Sequence, residues 1–210
     1  MSACCDHTAK FDGLSTDYKR RLWAVVAINA VMFGVEMSAG RAAGSQALQA
    51  DALDFLADAA TYGLSLAVIG AAVSVRAWAA FVKGISLLMM GVWVFGSTAY
   101  QFLFLDVPTA PLMGSIAILA LAANVISVLL LAKYKDGDAN VRSVWLCSRN
   151  DAIGNIAVMI AAVAVWITGT AWPDLLVALL MAGLFLSSAW QILKQSIQEL
   201  RSKPKAHTHT

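Results

Sequence analysis

The chain has 210 residues, of which 60% are hydrophobic and 13% are charged, with a formal net charge of +2. Soluble domains carry roughly 25% charged residues, and a soluble fold of this length could not bury so much apolar surface, so the composition excludes one. Apolar runs of about 18 residues or more indicate membrane helices. The chain is therefore predicted to be an all-α integral membrane protein, and its charge pattern indicates no nucleic-acid partner.

Six apolar segments follow one another, at residues 18–40, 46–72, 77–104, 111–134, 141–168 and 174–198. The connections between them are short, and Pro108, Pro111 and Pro173 lie in the third and fifth of them, as expected of loop or first-turn positions. The pattern predicts six transmembrane helices. Residues 1–16 form an N-terminal tail, 17–200 a membrane domain and 201–210 a short C-terminal tail.

Lysine and arginine are distributed unevenly over these connections. Thirteen of the 15 lie in the two tails or in or beside the second and fourth connections, while Arg41 lies on the other side and Arg149 within the fifth segment. Short loops rich in Lys and Arg face the cytoplasm. Both termini are thus predicted to be cytoplasmic, in a multi-pass protein of a bacterial inner membrane.

The second segment contains three aspartates in the stretch DALDFLADAA, residues 51–60, without a Lys or Arg among them. At about 100° per residue, Asp51, Asp54 and Asp58 fall within about 60° of one another on a helix. Ionised carboxylates are costly inside a membrane, and three on one face would repel one another. This acidic stripe indicates that a metal ion or protons visit the helix.

The fifth segment offers complementary groups in VWLCSRNDAIGN. Cys147 and Asp151 lie one helical turn apart, about 40° from each other. Together with Asp54 and Asp58 they form a four-ligand set of three carboxylates and a thiolate, which suits tetrahedral Zn²⁺, with Cd²⁺ the next candidate. A single membrane aspartate is more often a hydrogen-bonding group or proton site, and a single cysteine a small apolar residue. Two such pairs at the same spacing favour a metal site.

Other polar residues in the membrane segments have two possible roles each. Glu36 and Asp51 are candidates for a relay of ions or protons, or for hydrogen bonds between helices. Asp174 begins the sixth segment, where a carboxylate is a good N-terminal cap. Arg149 either pairs with a carboxylate of another helix or extends toward the membrane surface.

The N-terminal tail contains Cys4, Cys5 and His7 in the order C-C-x-H. These residues could capture a soft metal ion on the cytoplasmic side. They could equally be incidental groups in a disordered tail.

The two halves of the chain share a weak internal sequence similarity, D-x-x-x-D-A at residues 54–59 and C-x-x-x-D-A at residues 147–152. With six helices and both ends on one side, helices 2 and 5 run antiparallel. The pattern suggests an inverted repeat of the kind found in transporters.

The segments NAVMFGVEMSAGRAAGSQALQADALDFLADAATYGLSL, SRNDAIGNIAVMIAA and WPDLLVALLMAGLFL resemble the transmembrane domain of the cation diffusion facilitator family. In that family helices 2 and 5 each carry H/D-x-x-x-D and bind the ion in the membrane. The resemblance implies a homodimer that exports a divalent metal in exchange for protons. Two features depart from the family: Cys147 stands at a His or Asp position, and no cytoplasmic C-terminal domain follows Leu200.

The resulting hypothesis is efflux of Zn²⁺, or a related divalent metal, by proton antiport. The metal is the cargo, and neither an enzyme activity nor a cofactor is expected. The alternative is a membrane sensor or scaffold that binds metal without moving it. An intramembrane aspartyl protease is a weaker rival, because its G-x-G-D signature is missing.

Overall fold

The computed structural model describes residues 15–67, 73–104, 106–134 and 139–201, without the side chains of Val73, Arg76 and residues 139–148. Within these ranges the fold is all-helical and contains no strand. The helices are α1 Thr16–Ala43, α2 Gln46–Ala67, α3 Val73–Phe104, α4 Ala110–Leu131, α5 Ala139–Thr168 and α6 Trp172–Arg201, with a 3₁₀ turn at Ala132–Tyr134 after α4. The prediction of an all-α chain is confirmed.

Five helices are long and apolar enough to cross a membrane: α1, α4 and α6, with most of α3 from Ala77 and α5 from Arg149. Many large apolar side chains point outward from them, and Leu103, Trp166 and Ile167 are each 74% exposed. Such an exterior suits hydrocarbon rather than water. The chain is a multi-pass membrane protein.

Helix α2 differs from these five because it carries the three aspartates of the acidic stripe. It packs against α1, α3, α5 and α6, and every residue from Gln46 to Ala52 is buried. Helices that bear ionisable groups in a membrane turn them toward the protein interior, since lipid offers no hydrogen bonds. The surrounding helices therefore bury the N-terminal half of α2.

The connection between α1 and α2 is only two residues long. Gly44 ends α1 in the left-handed conformation, with φ of +69°, a region that glycine enters without a steric penalty. The next amide, of Ser45, donates to the carbonyl of Gly40 at 2.9 Å, as in a common helix C-terminal motif. This tight turn fixes the start of α2 against the end of α1.

Helices α3 and α6 form the most extensive interface of the bundle, and two glycines of α3 bring the backbones together. A Cβ atom at Gly84 would lie 2.8 Å from Leu193, and one at Gly91 would lie 2.9 Å from Leu186 and 3.2 Å from the Cβ of Phe185. Small residues allow this close approach in membrane bundles, where van der Waals packing drives association.

Gly91→Ala is expected to lower the apparent unfolding temperature in detergent, because overpacking typically costs about 1–3 kcal/mol. Gly96→Ala is the matched control, since Gly96 lies on the same helix and a Cβ there meets nothing within 4 Å. Alanine favours a helix by about 1 kcal/mol over glycine, so the control should be neutral or stabilising. Circular dichroism during heating measures both, and equal shifts would contradict the packing role of Gly91.

Candidate metal-binding site

The acidic stripe of α2 lines a cavity of about 490 Å³ between α2, α3, α5 and α6. Asp151 of α5 reaches the same cavity from the opposite side. The other polar residues that line the cavity come from all four helices and are Thr61, Lys83, Asn150, Ser188 and Gln191. Carboxylates and neutral polar groups thus face a common space inside an otherwise apolar bundle.

Asp151 is the residue at which α2 and α5 meet. The carboxyl groups of Asp54 and Asp58 both lie close enough to Asp151 to interact with it. Asn124 of α4 lines the small space between these groups and is itself buried. The structure therefore brings together three of the four predicted ligands, Asp54, Asp58 and Asp151, and we call them the acidic cluster.

The acidic cluster alone does not form a finished coordination shell. Among the described residues, no group of three His, Cys, Asp or Glu side chains is arranged so that it could already hold a metal ion. The fourth predicted ligand, Cys147, has a side chain outside the described residues. The four-ligand site remains a prediction.

Tyr62 orients one member of the cluster. Its hydroxyl donates to Oδ2 of Asp58 at 2.5 Å across one turn of α2, and the tyrosine is 1% exposed. A donor to one carboxylate oxygen limits the rotation of the side chain and stabilises its ionised form. The sequence reasoning missed this role, although the i, i+4 spacing of Asp58 and Tyr62 was a visible signal.

Glu36 of α1 and Asp51 of α2 form a second acidic pair beside the cluster. They lie close enough to interact, and Glu36 is fully buried. Both oxygens of Glu36 and one of Asp51 lack a hydrogen-bond donor among the described residues. Two buried carboxyl groups in contact must share a proton or a cation, because two ionised ones would repel each other. Their arrangement suits the predicted relay, which remains a prediction.

Lys83 is the residue of the cavity that sequence reasoning failed to assign. It was counted with the charged flank of the second connection, but it lies ten residues inside α3 and faces the acidic cluster across the cavity. The signal was its isolation in a long apolar segment, since an ionisable residue at membrane depth generally has a function.

Two further predicted groups remain, the N-terminal cluster and Arg149, and the described lining of the cavity does not include Arg149. Cys4, Cys5 and His7 lie outside the described residues. Arg149 is exposed, and its guanidinium donates to the side chain of Asn150 at 3.3 Å.

Asp174 fixes the N-terminal end of α2. Its Oδ1 accepts from the Ser45 hydroxyl at 2.6 Å and the Ala47 amide at 3.1 Å, and its Oδ2 accepts from the Gln46 amide at 2.8 Å. A carboxylate at a helix N-terminus satisfies free amides and the helix dipole. Asp174 was expected to cap its own helix, but it caps α2 and so joins α6 to the helix that carries the acidic stripe.

The chain matches the model of the cation efflux transmembrane domain over residues 22–201. The chain belongs to the cation efflux family. It is 31% identical over 196 residues to the zinc transporter ZitB of Escherichia coli (strain K12), covering 86% of this chain and 62% of that protein. The ZitB of Pectobacterium atrosepticum is 29% identical over 194 residues, again 86% of this chain.

A third relative is the cadmium, cobalt and zinc/H(+)-K(+) antiporter of Bacillus velezensis, which is 25% identical over 124 residues, or 58% of this chain and 40% of that protein. The chain spans about 61% of the length of the Pectobacterium atrosepticum transporter and 62% of that of the Escherichia coli transporter. Membership of the cation efflux family confirms the resemblance predicted from helices 2 and 5. Since the family is one of transport domains, it also confirms that this domain is not an enzyme.

In this cation efflux domain, Asp174→Ala is expected to lower the apparent unfolding temperature more than any exposed substitution does. It would leave three buried donors without an acceptor, at about 1–3 kcal/mol each. Asp174→Asn should have a smaller effect, because an amide oxygen can replace Oδ1 while its NH₂ faces the Gln46 amide. Asp106→Asn, in the exposed α3–α4 loop, is the control. If Asp174→Ala unfolds at the temperature of the control, the capping role is wrong.

Proposed function

We propose that this domain exports a divalent metal cation, foremost Zn²⁺ and next Cd²⁺, in exchange for protons. The observation that carries the proposal is the convergence of Asp54 and Asp58 with Asp151 on one cavity within the bundle. One relative is a zinc transporter and another a cadmium, cobalt and zinc/H(+)-K(+) antiporter, which supports both halves of the exchange.

The ion is held between α2 and α5 by Asp54, Asp58, Cys147 and Asp151. The backbone of α5 is helical from Ala139 to Thr168, so Cys147 lies one turn, or about 6 Å, from Asp151 along the axis. Two i, i+4 pairs on adjacent helices can enclose a tetrahedral ion, and a thiolate favours the softer metals.

Protons and metal compete for the same groups. Carboxylates and a thiolate coordinate a metal only when they are deprotonated, so metal binding expels protons. After the helices rock and expose the site to the other side, protons entering down their gradient displace the metal. Glu36 and Asp51, at the edge of the acidic cluster, relay protons or the ion during this exchange.

The proposed topology has six spans, α2 included, with both termini in the cytoplasm. The 22 residues of α2 extend about 33 Å at about 1.5 Å per residue, enough for a hydrocarbon core of about 30 Å. The Lys and Arg distribution supports the orientation. The setting is a bacterial inner membrane, the assembly a homodimer, and Cys4, Cys5 and His7 a capture site for incoming metal.

Asp58→Ala and Asp151→Ala are each expected to reduce Zn²⁺ flux in proteoliposomes at least about 100-fold, because even outer-shell changes cost 10–100-fold in metal affinity. Asp106→Ala should retain full flux, and unfolding temperatures verify that all variants fold. Normal flux in both site variants would refute the assigned site. If wild-type protein binds Zn²⁺ without any flux, the sensor or scaffold alternative is correct instead.

Cys147→Ser is expected to weaken Cd²⁺ binding by on the order of ten-fold more than Zn²⁺ binding, because a soft thiolate contributes more to the softer ion. Cys147→His should restore Zn²⁺ binding through an imidazole nitrogen. Competition between the two metals, measured on purified protein, gives the ratio of affinities. A ratio that stays at the wild-type value in both variants would exclude Cys147 as a ligand.

A further inference from the structure

Lys83 is a cation placed among carboxylates inside the bundle. It lines the same cavity as Asp54, Asp58 and Asp151. Its positive charge acts on the carboxyl group of Asp58. Lys83 is ten residues from the start of α3 at Val73, and Asp58 is nine residues from the end of α2 at Ala67. At about 1.5 Å per residue, both side chains therefore arise about 14–15 Å from the helix ends that the short α2–α3 connection joins.

The ammonium group of Lys83 forms no salt bridge with another described residue. In the described ranges the ion pairs within 4.0 Å join Asp17 to Arg21 and Lys133, and none involves Lys83. A lysine that makes no salt bridge retains a charge that can move on a flexible four-carbon stem. Lys83 is thus available to respond to what occupies the cavity.

Lys83 also borders a second, smaller cavity next to α6. This cavity has a volume of about 170 Å³ and is lined as well by Gln195, Ser196 and Glu199 of α6. Gln195 donates to Glu199 at 2.8 Å, so the carboxylate is held beside this cavity. Lys83 therefore borders one cavity that the acidic cluster lines and another that Glu199, an exposed residue, helps to line.

Electrostatic repulsion opposes the presence of a metal ion and of the Lys83 ammonium group at the acidic cluster at the same time. Without a metal ion, ionised carboxylates of the cluster repel one another, and a nearby ammonium offsets part of that repulsion. A doubly charged ion in the cluster repels the same ammonium, and the interaction is strong where water is scarce. Metal entry and the approach of Lys83 oppose each other.

We propose that Lys83 is a tethered counter-cation of the acidic cluster: it faces the cluster across the cavity when no metal is bound, and it withdraws toward Glu199 when a divalent ion enters. The inference rests on the proposed function and describes how the same site is regulated. A competing charge lowers the affinity for every divalent ion alike and accelerates its release. Lys83 therefore sets affinity, whereas the ligands set metal preference.

Lys83→Gln tests the role of the charge, with Lys83→Arg as the charge-preserving control. Dissociation constants for Zn²⁺ and Cd²⁺ are measured on the purified full chain by competition with a chromogenic chelator. Lys83→Gln should bind both ions on the order of ten-fold more tightly, at an unchanged Zn²⁺/Cd²⁺ ratio, because a unit charge acts on both alike. Maximal flux in proteoliposomes should fall with slower release. Lys83→Arg should behave as wild type.

Glu199→Gln tests the withdrawn position in a double-mutant cycle. It should weaken Zn²⁺ binding about two- to three-fold while Lys83 is present, and it should have no effect in the Lys83→Gln background. Unfolding temperatures of the four proteins identify any variant that fails to fold, and Lys83→Met then replaces Lys83→Gln as the uncharged variant.

Three outcomes would overturn the inference: an affinity of Lys83→Gln within two-fold of wild type, a changed Zn²⁺/Cd²⁺ ratio, or equal effects of Glu199→Gln in both backgrounds. Failure of the proposed function has a different result. If the proposed function is wrong, Asp58→Ala still binds Zn²⁺, whatever the result for Lys83→Gln. If Asp58→Ala loses Zn²⁺ binding but Lys83→Gln keeps the wild-type affinity, only the role of Lys83 is refuted.

Discussion

Ionised carboxylates in a membrane interior need either a cation or a proton, because hydrocarbon cannot solvate them. This constraint explains why α2, the helix with Asp51, Asp54 and Asp58, packs against four other helices. It also explains why the polar side chains of the neighbours face its cavity. Each acidic group is tolerated because the bundle supplies a partner or leaves space for one.

The partners of these acids differ along α2. Asp58 accepts a hydrogen bond from the Tyr62 hydroxyl and interacts with the positive charge of Lys83. Asp51 instead lies near the carboxyl group of Glu36. A hydroxyl and an ammonium favour an ionised carboxylate, while a second carboxyl group favours a shared proton. The two ends of the stripe thus differ in their neighbours, with a hydroxyl and an ammonium group near Asp58 and a second carboxyl group near Asp51.

Much of this arrangement could be predicted from the sequence. The apolar segments fixed the helices to within a few residues, and helical spacing placed Asp54 and Asp58 on one face and Asp151 on a facing helix. Contacts between distant helices were not predictable: Asp174 looked like a cap for its own helix, yet its acceptors serve Ser45 and Gln46 of α2. Lys83 was counted with the charged residues beside the second connection, because the distribution of Lys and Arg along the sequence does not reveal which cavity a side chain lines. Periodicity describes one helix at a time, and these roles depend on pairs of helices.

Of the four helices that pack on α2, α5 makes the least contact with it in the described part of the chain. A cation bound by ligands from both helices would therefore join α2 and α5 where they have few direct contacts. Cargo that cross-links two helices makes the loaded form mechanically stiffer than the empty one along this boundary. In the proposed exchange, departure of the ion would then loosen the boundary between α2 and α5 before the site opens to the opposite side of the membrane.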